Sequence, residues 1–203
     1  MIKNIIFDFG DVFINLDKAA TLRELNRLGL NELDPELLQL FQAYEKGVLT
    51  TAVFMEEAKA FFPAARSADL TAAWNAILLD FPEYRLHFLE SLFKTTSYRM
   101  FLLSNTNALH MAHVAQTMGK PRYERFLNCF QRVYLSYEMQ MRKPDPEIFQ
   151  YVLDRHKLKP EETLFIDDTL ENIIVASDLG ISVWHINPEE EDIVNLDKKL
   201  IHG

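Results

Sequence analysis

The chain has a single cysteine, Cys129, among 203 residues. No intramolecular disulfide can form, and a structural zinc site built on several thiolates is excluded, so a reducing compartment is the expected setting. Long apolar runs are missing as well. No stretch approaches the ~20 residues needed to cross a bilayer, and the opening MIKNIIFDFG is interrupted too early for a signal peptide. A cytoplasmic protein with no membrane partner is expected. Basic residues are outnumbered, 21 to 30, for a net charge of −9. No run of Lys and Arg supplies the positive footprint of a nucleic-acid binder. A compact phosphorylated ligand stays compatible, because one lysine and one bound cation reverse the local sign. There is no internal repeat and no low-complexity tract. What is present, 48% hydrophobic and 25% charged residues, is the balance of an ordinary globular protein.

Five short apolar runs are spaced along the chain: Ile5 to Phe7, Met100 to Leu103, Val133 to Leu135, Leu164 to Ile166 and Ile181 to Ile186. Each is too short for a helix, and continuous apolar character suits strands buried on both faces of a parallel sheet. Four end in a polar residue, namely Asp8, Ser104, Ser136 and Asp167. Parallel strands would gather these ends along one edge, where open α/β sheets bind ligands. Helical patterns alternate with the runs after residue 95. Asp145-Pro146 reads as an N-cap followed by a first-turn proline, ahead of an apolar face of Ile148, Phe149, Val152 and Leu153. Thr169 reads as the cap of a helix with Leu170, Ile173 and Ile174 on one face and Gly180 as its stop.

Between Asp17 and Phe81 the pattern changes. Leu22, Leu25 and Leu28, then Leu37, Leu40, Phe41 and Tyr44, then Val53, Phe54 and Phe61, then Leu70, Trp74 and Leu78 recur at helical spacing. About four helices are expected, broken at Gly47 and Pro63. The expected organisation is α/β: a Rossmann-like core with a parallel sheet over residues 1–16 and 82–203, and a small helical cap over 17–81, inserted after the first strand.

Asp8 follows one buried strand and Asp167-Asp168 another, so three carboxylates would converge if those strand ends meet. Like charges that close require protonation or a bridging cation. An all-oxygen set with no His or Cys nearby points to Mg²⁺, and Gly10 would let the backbone approach closely enough to offer its carbonyl. Ser104-Asn105 presents a hydroxyl, an amide and free N–H groups at the start of the next helix, an arrangement suited to phosphate oxygens. Lys143, in a loop stiffened by Pro144 and Pro146, can neutralise both a carboxylate and an incoming phosphate. Taken singly, each feature also has a plain structural explanation: an acid capping a helix, a serine N-cap, a solvated lysine. Tyr44, Glu45 and Lys46 are candidates to face the site, while His110 and His113 read as packing or surface residues.

Four segments in this order, IIFDFGDVF, LLSNTN, MRKPDPEIF and LFIDDTLEN, resemble the haloacid dehalogenase superfamily. The resemblance covers almost the whole chain, with the helical insert in the place of that superfamily's first-position cap. LLSNTNALH and VYLSYEMQMRKPDPEIFQYVL look closest to the branch containing α-glucose-1-phosphate phosphatase-like proteins. The resemblance implies a Mg²⁺-dependent phosphatase acting on a small phosphorylated metabolite, with a sugar phosphate favoured. Asp8 would be the nucleophile and pass through an aspartyl phosphate. Asp8, the Gly10 carbonyl and Asp168 would hold the metal, with Asp167 acting through a metal-bound water. Ser104 and Asn105 would bind phosphoryl oxygens, Lys143 would orient Asp8 and balance charge, and Asn172 would support the acidic loop.

One position departs from the pattern. Most phosphatases of this superfamily carry a second Asp two residues after the nucleophile, as general acid and base; this chain has Gly10. Asp11 could reach the site, a substrate with a good leaving group would need less help, or the protein could be slow or purely a binder. A 2-haloacid dehalogenase tolerates Gly10 but leaves the Asp167-Asp168 pair unexplained. A non-catalytic phosphosugar sensor uses the same residues without turnover. A receiver domain shares the residue types, but the helical insert and the late acidic pair argue against it.

Overall fold

The computed structural model describes residues 1–201. A five-stranded, fully parallel sheet runs in the order β3-β2-β1-β4-β5, from β1 (Asn4–Phe7), β2 (Arg99–Ser104), β3 (Arg132–Leu135), β4 (Thr163–Asp167) and β5 (Ser182–His185). These are the five apolar runs. Alternate residues of each strand feed different layers. Ile5, Phe7, Met100, Leu102, Leu164 and Ile166 enter one hydrophobic cluster. Ile6, Phe101, Leu103 and Phe165 enter another on the opposite face. Burial of both faces explains why the runs lack alternation. Among the described residues no helix is long and apolar enough to cross a membrane.

The faces are covered by α5 (Glu83–Thr95), α6 (Ala108–Met118), α7 (Lys120–Leu127), α9 (Pro146–His156) and α10 (Leu170–Asp178), with the four-residue α8 (Ser136–Met139) closing β3 and α11 (Leu196–Ile201) at the end. Two capping expectations need correction. Asp145 and Thr169 stand at the N-cap positions of α9 and α10, but neither side chain caps its helix. The Asp145 carboxylate pairs with Lys46 at 2.9 Å, so a distant cation takes it in place of the local N–H groups. The apolar face of α10 also differs: Ile173 and Ala176 are buried, whereas Leu170 and Ile174 are half exposed.

Between β1 and α5 stand α1 (Ala20–Arg27), α2 (Pro35–Glu45), α3 (Thr51–Phe61) and α4 (Ser67–Asn75). Asp34 caps α2 by accepting from Glu36 N, and Thr50 caps α3 by accepting from Val53 N. The four helices have a hydrophobic cluster of their own, centred on Leu25, Leu37, Tyr44, Phe54 and Trp74. Tyr44 and Phe54 stack with centroids 4.1 Å apart. The two connectors to the sheet lie side by side: Asp17 N donates to Ile77 O, Leu79 N to Asn15 O and Asn15 N to Asp80 O.

The insert meets the sheet domain beyond the ends of β2 and β3. Trp74 Nε1 donates to Asn107 Oδ1 at 3.2 Å, and His110 Nε2 lies 3.1 Å from the Trp74 carbonyl. Leu109 N donates to the Tyr44 hydroxyl, and Ser136 Oγ donates to the Glu45 carbonyl. At Gly47, φ is +68° and a Cβ would fall 1.9 Å from the Tyr137 carbonyl oxygen, so only glycine permits this approach.

Candidate active site

β1 is central and pairs with β2 on one side and β4 on the other. Asp8 directly follows β1, Ser104 ends β2, and Asp167 ends β4. The chain therefore delivers these residues to the crevice where the strand order reverses, the place an open parallel sheet offers to a ligand. Candidate ligand oxygens of Asp8, Asp167 and Asp168 all lie within 4.8 Å of one another.

Lys143 joins this group from the loop before α9. Its side chain is 1% exposed, and Nζ stands 2.7 Å from Asp8 Oδ1 and 2.6 Å from Asp167 Oδ2. The backbone of that loop is clamped by Asn105, whose Nδ2 donates to Lys143 O while Oδ1 accepts from Lys143 N, both at 2.8 Å. Ser104-Asn105 was expected at the start of a helix; α6 instead begins at Ala108, where Asn107 is the cap and accepts from His110 N. The Asn105 side chain is thus committed to positioning the lysine. Asp167 accepts three hydrogen bonds: Oδ1 from Thr169 N at 2.8 Å, and Oδ2 from Asn172 Nδ2 at 3.0 Å and from Lys143 Nζ at 2.6 Å.

Burial pushes the Asp8 carboxyl up to about 7, with Lys143 opposing and Asp167 and Asp168 adding to the rise. Burial alone would lower Lys143, yet Asp167 and Asp8 outweigh it and hold the ammonium above its ordinary value. These two directions conflict for a simple pair, in which both partners favour the charged forms. For Asp8 burial decides, and sharing of the lysine adds to it. One ammonium gains two carboxylates, whereas Asp8 gains part of a cation together with a rival anion. Burial also raises Asp168, partly offset by Lys18.

Gly10 contributes a carbonyl that accepts from Val12 N at 2.6 Å and retains a second lone pair. The space beside Gly10 is filled from the insert connector: a Cβ there would lie 2.8 Å from Leu16 Cδ1 and 3.9 Å from Asp8 Oδ2. Asp11 does not replace a second acid. It adopts φ +53°, and its carboxylate accepts from Leu16 N at 3.0 Å and pairs with Lys18 at 3.1 Å. The cleft over Asp8 has a volume of ≈ 360 Å³, and Leu16, Lys18 and Arg142 line its mouth. Leu16 and Lys18 lie outside the four matched segments, and Arg142, though inside MRKPDPEIF, is assigned no role by that match. Of the insert residues expected to face the cleft, Tyr44 is buried in the insert's own core. Glu45 faces Arg142 at 3.4 Å, and Lys46 is held by Asp145.

The donor set fits a hard divalent cation: carboxylate and carbonyl oxygens, no sulfur or imidazole. Formally, four carboxylates (Asp8, Asp11, Asp167 and Asp168) face two ammonium groups (Lys18 and Lys143), an excess of negative charge that a divalent ion would balance.

Comparison with known proteins points to one family. Residues 2–180 match the family model for haloacid dehalogenase-like hydrolases. A D-ribitol-5-phosphate phosphatase from Bacteroides thetaiotaomicron is 32% identical over 195 residues, covering 91% of either chain. A glyceraldehyde 3-phosphate phosphatase from Methanothermobacter thermautotrophicus is 27% identical over 206 residues, covering 93% of this chain and 87% of the relative. Among solved structures, a haloacid dehalogenase family enzyme from Bacteroides thetaiotaomicron, in complex with magnesium and inorganic phosphate, aligns at a TM-score of 0.81 with 35% identity, over 94% of this chain and 97% of that one.

Proposed function

The chain belongs to the haloacid dehalogenase-like hydrolases, and from that premise we propose that it is a Mg²⁺-dependent phosphatase of small sugar or polyol phosphates. The observation that carries the reading is the buried Lys143 ammonium held between Asp8 and Asp167 with Asp168 alongside. A nucleophilic carboxylate needs a cation at its side if an anionic phosphate is to approach it.

In this reading Lys143 fixes one oxygen of Asp8, and the carboxylate attacks phosphorus in line with the ester bond. The Asp8 oxygen–phosphorus bond forms as the phosphorus–alkoxide bond breaks, leaving an aspartyl phosphate; water then attacks that phosphorus and returns the carboxylate. Asp8, the Gly10 carbonyl and Asp168 would hold Mg²⁺, with Asp167 joined to it through water. The ion, when bound, supplies positive charge to the phosphoryl oxygens. Ser104 and the Asn105 backbone receive those oxygens, and Lys143 balances the charge that builds on them. Asp167, itself fixed by Thr169 N and Asn172, keeps Lys143 aimed and charged. Residues 17–81 form a cap beyond the ends of β2 and β3, with Lys18 reaching the cleft. Its modest volume suits a substrate of about three to six carbons.

With Leu16 against Gly10, nothing beside Asp8 protonates the departing alkoxide. Water must do so, which favours substrates with good leaving groups and makes simple alkyl phosphates slow. A non-catalytic phosphosugar binder shares every residue and is separated by one measurement. Phosphate release is followed across a series of polyol and sugar phosphates and one aryl phosphate, with Mg²⁺ and with EDTA. Turnover of at least one series member, falling about a hundredfold or more in EDTA, is expected. Binding of phosphate with no release from any substrate, the aryl ester included, would establish the binder instead.

A further inference from the structure

Two lysines touch the acidic cluster, and they are held very differently. Lys143 is enclosed and fixed by a reciprocal backbone clamp. Lys18 rises from the connector between β1 and α1; its side chain is 61% exposed, yet its ammonium stands 2.5 Å from Asp168 Oδ2 and 3.1 Å from Asp11 Oδ2. Both partners are themselves well covered, at 5% and 11% exposure. A water-facing cation thus neutralises one of the carboxylates assigned above to the metal.

We propose that Lys18 is a tethered counter-ion of the metal site, occupying Asp168 in the metal-free protein and giving it up to Asp11 alone when a divalent cation binds. The inference rests on the metal reading of the preceding subsection. Its physical basis is competition for one oxygen. An ammonium on a flexible four-carbon stem holds a carboxylate by a single contact and is strongly hydrated when released, so a divalent ion gathering several oxygens at once displaces it. Lys143 cannot play this part, because leaving would strand two buried carboxylates. No proton moves in the exchange: Lys18 stays charged and changes partner. Two consequences follow. Without metal, Lys18 limits repulsion between Asp168, Asp11 and Asp167 and keeps the acidic loop in place. With metal, Lys18 is repelled by the ion, so the lysine sets an upper limit on how tightly the ion is held.

The test is calorimetric titration of the full chain with MgCl₂ at constant ionic strength, on four proteins. Asp168→Asn tests the underlying reading: undiminished Mg²⁺ binding there overturns the metal site itself. Given loss in Asp168→Asn, Lys18→Met is expected to bind Mg²⁺ about tenfold more tightly than wild type, since competitor and repulsion go together. Lys46→Met removes a positive charge that touches none of these carboxylates and is expected to stay within about twofold of wild type. Unchanged or weaker binding in Lys18→Met overturns the proposal while leaving the metal site standing. Equal tightening in Lys46→Met also overturns it, because net charge and not contact would then be the cause. A second readout needs no variant. Acetylation of wild-type Lys18, followed by mass spectrometry against Lys46 as internal reference, should accelerate severalfold on adding Mg²⁺; an unchanged ratio counts against displacement.

Discussion

The carboxyl edge of the sheet and the four-helix insert are built on opposite principles. The edge concentrates charge. Asp8, Asp11, Asp167 and Asp168 meet Lys143 and Lys18 within a few ångströms, and Asp8 is held far from its ordinary titration range. The core of the insert is aromatic and uncharged, with Tyr44 stacked on Phe54 and Trp74 tilted against it. It reaches α6 through a tryptophan N–H, a tyrosine hydroxyl and an uncharged imidazole. The difference shows in the response to protons. Asp8 is raised by burial, so the folded protein binds more protons there than the unfolded chain. Its contribution to metal-free stability therefore grows as pH falls from about 7 towards the ordinary carboxylate value. His110 is lowered by burial to about 4. The unfolded chain then binds more protons, and its contribution is lost as pH falls below the ordinary histidine value. Reactivity and cohesion are placed in separate regions with opposite sensitivities.

The hardest blow to that division is Asp8→Asn. Turnover should fall at least a thousandfold, while the metal-free melting temperature at neutral pH stays level or rises, because a costly buried charge has gone. A variant that loses activity and melts well below wild type would mean that the site also serves as structural glue. A smaller effect belongs to the seam, where Leu16 of the connector lies against Gly10. Gly10→Asp, paired with Leu16→Ala to make room, should raise kcat on alkyl phosphates about tenfold, below the usual range for general acid catalysis, and leave an aryl phosphate nearly unchanged. No gain in a double variant that still binds Mg²⁺ would remove the missing acid as the cause of slowness. The smallest effect lies at the joint. Between pH 7 and 5.5, wild type should lose about 2–4 °C more in melting temperature than His110→Gln. Equal losses would show that the imidazole titrates freely and the joint is looser than its geometry implies.

Much of this was legible in order along the chain. The five strands could be read because burial on both faces leaves an unbroken apolar run, and the polar residue ending each run points to the crevice. The Asp8, Asp167, Asp168 and Lys143 group followed from that rule and from the four matched segments. The errors and gaps arose where side chains answer to distant partners. Asp145 occupies a cap position, but Lys46 claims it across 99 residues. Asn105 has the makings of a phosphate ligand, but its amide is used on the Lys143 backbone. Leu170 and Ile174 keep helical spacing yet face outwards. Lys18, Leu16 and Arg142 belong to no periodic pattern, and only the folded chain brings them to the mouth of the cleft.

β1, which leads into Asp8, is flanked by strands that come much later in the chain. Asn4 hydrogen-bonds to Thr163, 159 residues downstream, and β2 follows only after the whole insert. As the polypeptide leaves the ribosome, Ile5, Ile6 and Phe7 wait for β2, which ends at Ser104, and for β4, which begins only at Thr163, a topology that folds slowly and leaves sticky strand surface open meanwhile. The insert, made of sequence-local helices with a core of its own, is the part that can gather early. A nascent chain halted before residue 163 would carry Asp8 with neither Asp167 nor Asp168 beside it, so premature termination yields a fragment with the acidic cluster unassembled.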